Sequence, residues 1–446
     1  MSPPPRLRGP SILQTLEYTY RPLELFERCA RRLGEPFTLH LPGFGDFVFV
    51  WTPETLKQVF TGDPDELQAG KANDMLEPVV GPYSLLLLDG AEHIRMRRLL
   101  LPPFHGERMQ TYGRLIAGIA SAEIDAMPLG APFSIHTHMQ AITMRVILRA
   151  VFGLEEGAEM RELTAVLLEY MKPPPSLLVF TPRSLFPWLD FPGSPYRTFL
   201  RRRDGVDRSL RAIIRARRAA PDPSRTDILS LLLDARDEQG APLTEDELRD
   251  ELMTMLLAGH ETTATALSWA LAHVISNPEV EARLRAEIGG LSSEGGVPDA
   301  AALTSAPYLD AVVKETMRLH PIVPVVVRRL SRPMTIAGRE VAEGAMVTPC
   351  IHLAHRRPEA WPEPERFNPE RFLGTKTDPY TWFPFGGGTR RCVGMAFALY
   401  EMKIVLGVML ARTRLALDKG RFPEVVRRSV TLAPAGGTRV VMTERH

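Results

Sequence analysis

The sequence predicts a mainly α protein with small β-sheets near both ends. Three observations carry that prediction. A helical hydrophobic period dominates from about residue 91 to 288. Short valine-rich runs bounded by turn residues follow at 322–347, and a strand pair closes the chain after Ser429. No break has the composition of a domain linker, so 1–446 is expected to be one domain. The β-rich portions are placed at about 35–60, 322–350 and 425–445, and the helical body at about 91–320 and 392–412.

Taken in order, 21–33 is amphipathic by period and reads as a helix, and 37–51 mixes aromatics, valines and glycines as a hairpin does. Prolines interrupt the helical body at 173–175 and at Pro221 and Pro223. Residues 289–297 read as a loop, 307–320 as a helix stopped by Pro321, and 358–388 as mostly loop. A last helix covers 392–412.

Composition narrows the class. The chain has 446 residues, is 44% hydrophobic and carries a formal net charge of +1, which gives no bias towards nucleic acid or an anionic membrane. Three cysteines argue against a disulfide framework and for a reducing cytoplasm. The first ten residues lack an apolar core, and the apolar stretch at 253–275 is broken by His260, Glu261 and threonines, so no membrane anchor is expected.

The most specific signal is Phe385-Gly-Gly-Gly388-Thr-Arg390-Arg-Cys392-Val-Gly394. Glycines let the backbone turn tightly and approach a flat ligand. Loop amides and the start of the next helix favour thiolate over thiol. A thiolate so placed reads as the axial ligand of a haem iron, a ligation that favours O–O cleavage. These residues closely resemble the haem-binding loop of the cytochrome P450 family, and the order of elements is similar to that fold throughout. The resemblance implies haem b (iron protoporphyrin IX) buried between a long central helix and the helix after Cys392.

It also assigns roles elsewhere. Glu315 and Arg318 share a helical face and match the family's Glu-x-x-Arg motif. Arg371, in Phe367-Asn-Pro369-Glu-Arg371-Phe372, matches the second arginine of a buried network. His93, Arg97, Arg328 and Arg390 fit donors to the haem propionates, with His93 where many members carry tryptophan. Ala258-Gly259-His260-Glu261-Thr262-Thr263 matches the oxygen-activation segment, in which Gly259 admits a flat ligand, Thr262 orients water and Glu261 relays protons. Alanine at 264 rules out a His-Glu-x-x-His zinc site. His136 and His138 read as ordinary helix residues.

The implied activity is a monooxygenase placing one atom of O2 into an apolar substrate, a fatty acyl or terpenoid compound ahead of a macrocycle. The pocket is expected from Met75, Leu76, Val79, Val80, Leu85, Leu178, Phe180, Leu257, Val323, Val326 and Leu432, with Lys71, Lys172 and Arg183 at its mouth. No flavin or NAD fingerprint is present, so two electrons must arrive from outside; the resemblance implies a ferredoxin- or flavodoxin-type donor with its NAD(P)H reductase. That donor is expected to dock on Arg98, Arg108, Arg390 and Arg391 of a monomeric protein. A haem-thiolate peroxygenase and a non-catalytic haem sensor remain the alternatives at this point.

Overall fold

A computed structural model of the chain describes residues 2–104, 108–171, 191, 193–291, 296–428 and 430–446. Its centre is the helix Glu245–Ser276, opened by a capping box in which Thr244 and Glu247 exchange hydrogen bonds between side chain and backbone. That helix packs on Ile135–Ala150 and on Met395–Arg412, and the latter packs on Arg108–Ala126. Apolar faces of these helices merge in a core that holds Met139, Ile142, Leu252, Leu267, Trp269, Val405 and Met409.

A five-stranded sheet covers one end, in the order Phe37–Leu41, Gly45–Val50, Met346–Pro349, Arg328–Leu330, Leu67–Gln68. Phe47 pairs in parallel with Met346, and Arg328 antiparallel with Val347. Chain segments 300 residues apart are joined in this way. The 35–60 portion is a hairpin followed by a helix, Pro53–Thr61, because Pro53 at the first helical position and the buried series Leu56, Val59, Phe60 follow a helical period. The last long helix starts at Met395, leaving Cys392 in the loop ahead of it. A second hairpin, Val425–Arg428 with Thr431–Pro434, leans over the central helix. Among the described residues no helix is long and apolar enough to cross a membrane.

Candidate active site

The loop that carries Cys392 is fixed by close approach. Gly388 has φ +65°, and a Cβ there would lie 2.2 Å from the Phe60 carbonyl oxygen; a Cβ on Gly387 would strike the Phe60 ring. Only glycine meets both demands. Cys392 N–H donates to Phe385 O at 2.9 Å, which closes the loop, and Ala398 N–H donates to Gly394 O at 2.8 Å, which starts the helix. The thiol lies deep in the protein but is open to the cavity beside it. Burial pushes its pKa up, while the Gly394 amide and the Arg97 and Arg391 guanidiniums oppose that.

Behind the loop stands the buried network. Arg318 donates from Nε and Nη2 to the two carboxylate oxygens of Glu315 at 2.6 and 2.8 Å, with both side chains fully buried. Its remaining donors reach the carbonyls of His355, Pro364 and Arg366. Asn368 N–H donates to Glu315, and Arg371 Nε lies 3.4 Å from the same oxygen. His355, which the sequence did not single out, links this network to the cysteine loop. Its Nε2 accepts from Phe383 N–H at 3.0 Å, so Nδ1 carries the proton donated to Arg318 O. Burial, then the charge of Arg318, keeps this histidine neutral.

On the other side of the loop, cations converge. Burial pushes the His93 pKa down to about 3, and Arg390, Arg97 and Arg328 add to the fall. Arg97 donates to Arg391 O at 2.6 Å and Arg328 to Val327 O at 2.7 Å; among the described residues neither has a carboxylate partner. Burial lowers Arg328 to about 10. Unpaired guanidiniums at the wall of one cavity are what two ligand carboxylates would satisfy, so the residues present fit haem. Arg390 is different: it is tied to the carboxylate of Asp89 and to the carbonyls of Leu85 and Leu88. With a side chain 10% exposed it is no surface for a docking protein, which corrects that part of the expected partner patch. Arg391 and Arg98 are exposed, the latter paired with Glu238, and the Arg108 side chain lies outside the described residues.

Across the cavity, the central helix presents Leu257, Ala258, Gly259, Glu261 and Thr262. Gly259 sits 3.1 Å, measured from an ideal Cβ, from Ile147 Cδ1, so a larger residue would crowd the adjoining helix. Thr262 Oγ1 donates to Ala258 O. Glu261 accepts from Gln140 Nε2 at 2.6 Å and lies 3.4 Å from both His136 Nε2 and Arg428 Nη1. Burial alone would raise its pKa; the His136 hydrogen bond and charge, Gln140 and Arg428 outweigh it and hold the carboxyl below the usual range. His136 is therefore a partner of the acid and more than an ordinary helix residue. The signal lay in its i, i+4 spacing to Gln140, which puts both on one face.

One cavity of roughly 3040 Å³ joins these groups, its volume including the space between Cys392 and the central helix. Met75, Leu76, Val79, Val80, Leu85, Val323 and Val326 line it, and Lys71 stands at the wall. Leu432 does not: strand alternation turns it inward, where it is 4% exposed, and presents Thr431 instead. Leu178, Phe180, Lys172 and Arg183 lie outside the described residues. Thr137, Gln140, Ala141 and Met144 add a wall that the sequence reading missed.

A family model described as Cytochrome P450 matches residues 3–439. Cytochrome P450 135B1 of Mycobacterium tuberculosis is 39% identical over 445 residues, covering 99% of this chain and 91% of that protein. Cytochrome P450 135A1 of the same species is 37% identical, covering 97% and 94%. Among solved structures, retinoic acid-bound cyanobacterial CYP120A1 superposes with a TM-score of 0.85 at 26% identity over the full length of both chains. The P450DA haem domain shares the fold at a TM-score of 0.85 and 24% identity.

Proposed function

The chain belongs to the cytochrome P450 family of oxygen-incorporating, haem-binding oxidoreductases, and from that premise we propose that it hydroxylates or epoxidises a sizeable apolar molecule, a fatty acyl or terpenoid compound. The observation that carries this reading is the cavity wall, where Met75, Leu76, Val79, Val323 and Val326 line the same space as Leu257. The similar CYP120A1 binds retinoic acid, an isoprenoid carboxylic acid, which supports the terpenoid arm. Lys71, at the cavity wall, is assigned to meet a substrate carboxylate.

Haem, when bound, supplies dioxygen activation and oxygen insertion. Cys392 would ligate the iron, and Arg97, Arg328 and His93 would hold the propionates, with Arg390 locked behind them by Asp89. The rest falls to side chains over the cavity. Because the Thr262 hydroxyl proton goes to Ala258 O, its oxygen is left as an acceptor at the cavity wall, suited to hold a water. Glu261, ionised at neutral pH, takes a proton at a carboxylate oxygen and passes it on at Thr262. The electrons are assigned to a ferredoxin- or flavodoxin-type partner with an NAD(P)H reductase, docking near the exposed Arg391 and Arg98. We place the protein in the cytoplasm: Cys29 and Cys350 are buried free thiols, pushed up by burial to about 11 and about 12.

The test is a type I spin-shift titration with long-chain fatty acids, sesquiterpenes and steroids, followed by NADH-dependent product formation with a ferredoxin system. Micromolar shifts with one apolar class are expected. Shifts confined to small polar compounds would overturn the substrate reading.

A further inference from the structure

The contacts around Glu261 carry more than a hydrogen-bonded acid. His136, 3% exposed, sits on the helix Ile135–Ala150 with its ring between three groups. Arg428 Nη1 lies 3.2 Å from Nδ1. A guanidinium only donates, so Nδ1 is the unprotonated nitrogen and Nε2 carries the proton. That Nε2–H lies 3.4 Å from Glu261 and 3.3 Å from Thr265 Oγ1. The ring therefore points a proton at the acid, and its other nitrogen is covered by a cation.

Exposure rises outward along this row. Side-chain values are 3% for His136, 21% for Glu261 and 48% for Arg428. Arg428 belongs to the hairpin Val425–Arg428 with Thr431–Pro434, whose Val425, Val426 and Thr431 line the cavity. The charged and titratable groups facing His136 are Glu261 and His260 from the central helix and Arg428 from the hairpin; the turn at Gly437 packs on it through backbone. On the neighbouring helix, Glu123 is engaged by His138 and Arg145.

We propose that His136 passes protons to Glu261, accepting at Nδ1 and releasing from Nε2, and that Arg428 is a removable guard over Nδ1. The step balances without electrons. After Glu261 has given up a proton at Thr262, the His136 Nε2–H bond breaks as a Glu261 O–H bond forms, and Nδ1 takes a proton from solvent hydronium, leaving water. Exchange with water then restores the starting tautomer. Uptake requires Arg428 to leave Nδ1, and the hairpin that carries it is also a cavity wall, so a bound substrate is positioned to move it. His136 acts through Glu261 and is a positioning and relay residue; it touches no reacting atom itself.

The inference rests on the role given to Glu261, and the experiment separates the two. In the reduced, carbon monoxide-bound holoenzyme labelled with 15N-histidine, His136 is expected as the Nε2–H tautomer. Arg428→Ala is expected to populate the Nδ1–H form. Finding Nδ1–H in the unaltered protein would overturn the proposal whatever the variants do. His136→Gln keeps an amide donor near the Nε2 position but cannot relay. It should retain haem content and substrate spin shift, lose at least threefold in product per NADH, and show a larger solvent deuterium isotope effect. Unchanged coupling in haem-loaded His136→Gln would overturn the relay. If Glu261→Gln uncouples while His136→Gln does not, only the relay fails; if Glu261→Gln stays coupled, the reading of the site fails with it.

Discussion

The two sides of the cavity are built on different principles. On the cysteine side, side chains bind main chain. Arg318 reaches the carbonyls of His355 and Pro364 at 2.8 Å each, and Phe60 fills the space that Gly387 and Gly388 leave. Across the cavity the acid is held by side chains instead: Gln140 donates to Glu261 at 2.6 Å, and His136 and Arg428 stand 3.4 Å from it. Backbone positions move only if the fold moves, whereas rotamers adjust at a cost near 1 kcal/mol. The difference suits the proposed roles, a ligand that must not shift and a proton route that must.

Four measurements break or sharpen that contrast. The largest effect belongs to Cys392→Ala, which removes the one cysteine that opens on the cavity among the described residues. The red-shifted Soret band of the reduced carbon monoxide complex should vanish, and its persistence would defeat the assignment. Arg318→Ala comes next. It strands Glu315, fully buried, without its main partner, at a cost of about 3–5 kcal/mol. Thermal unfolding and haem content should both fall sharply, and a stable, fully loaded variant would show that the cysteine side is less rigid than described.

Thr262→Ala tests the adaptable side. Folding and substrate spin shift should hold, while product per NADH drops about tenfold or more as oxygen is diverted to peroxide. The smallest effect is a titration. Burial raises Glu251 to about 8, although Leu85 N–H donates to it and pulls the other way. Since the folded value lies above the unfolded one, the associated stability is complete at low pH and is lost as pH rises through the folded value. Between pH 7 and 9 that loss is about 1.4 kcal/mol. Melting temperature should fall across this range, and Glu251→Gln should flatten the fall.

What was legible in the sequence follows the same division. Cys392 with its glycines, Glu315 with Arg318, and Glu261 with Thr262 are local patterns whose spacing alone encodes a loop or a helical face. The groups that complete them come from far along the chain. His355 reaches Arg318 across 37 positions, Asp89 reaches Arg390 across 301, and Arg428 reaches His136 across 292. No periodicity announces such meetings; only the fold creates them. Leu432 was misplaced for a different reason. Composition marks the hairpin as cavity wall, but the side each residue takes depends on register: Thr431 faces the cavity and Leu432 faces the core.

Arg318 grips main-chain oxygens, and every amino acid supplies one. The stretch from Pro358 to Arg366 can therefore change its exposed side chains freely while its length and path stay fixed. A saturation library should record this as a band of tolerance, open at the exposed Pro362 and Arg366, flanked by intolerance at Trp361 and Phe367, which are buried. Single deletions in the same band should be lethal to haem binding, because they withdraw the carbonyls themselves.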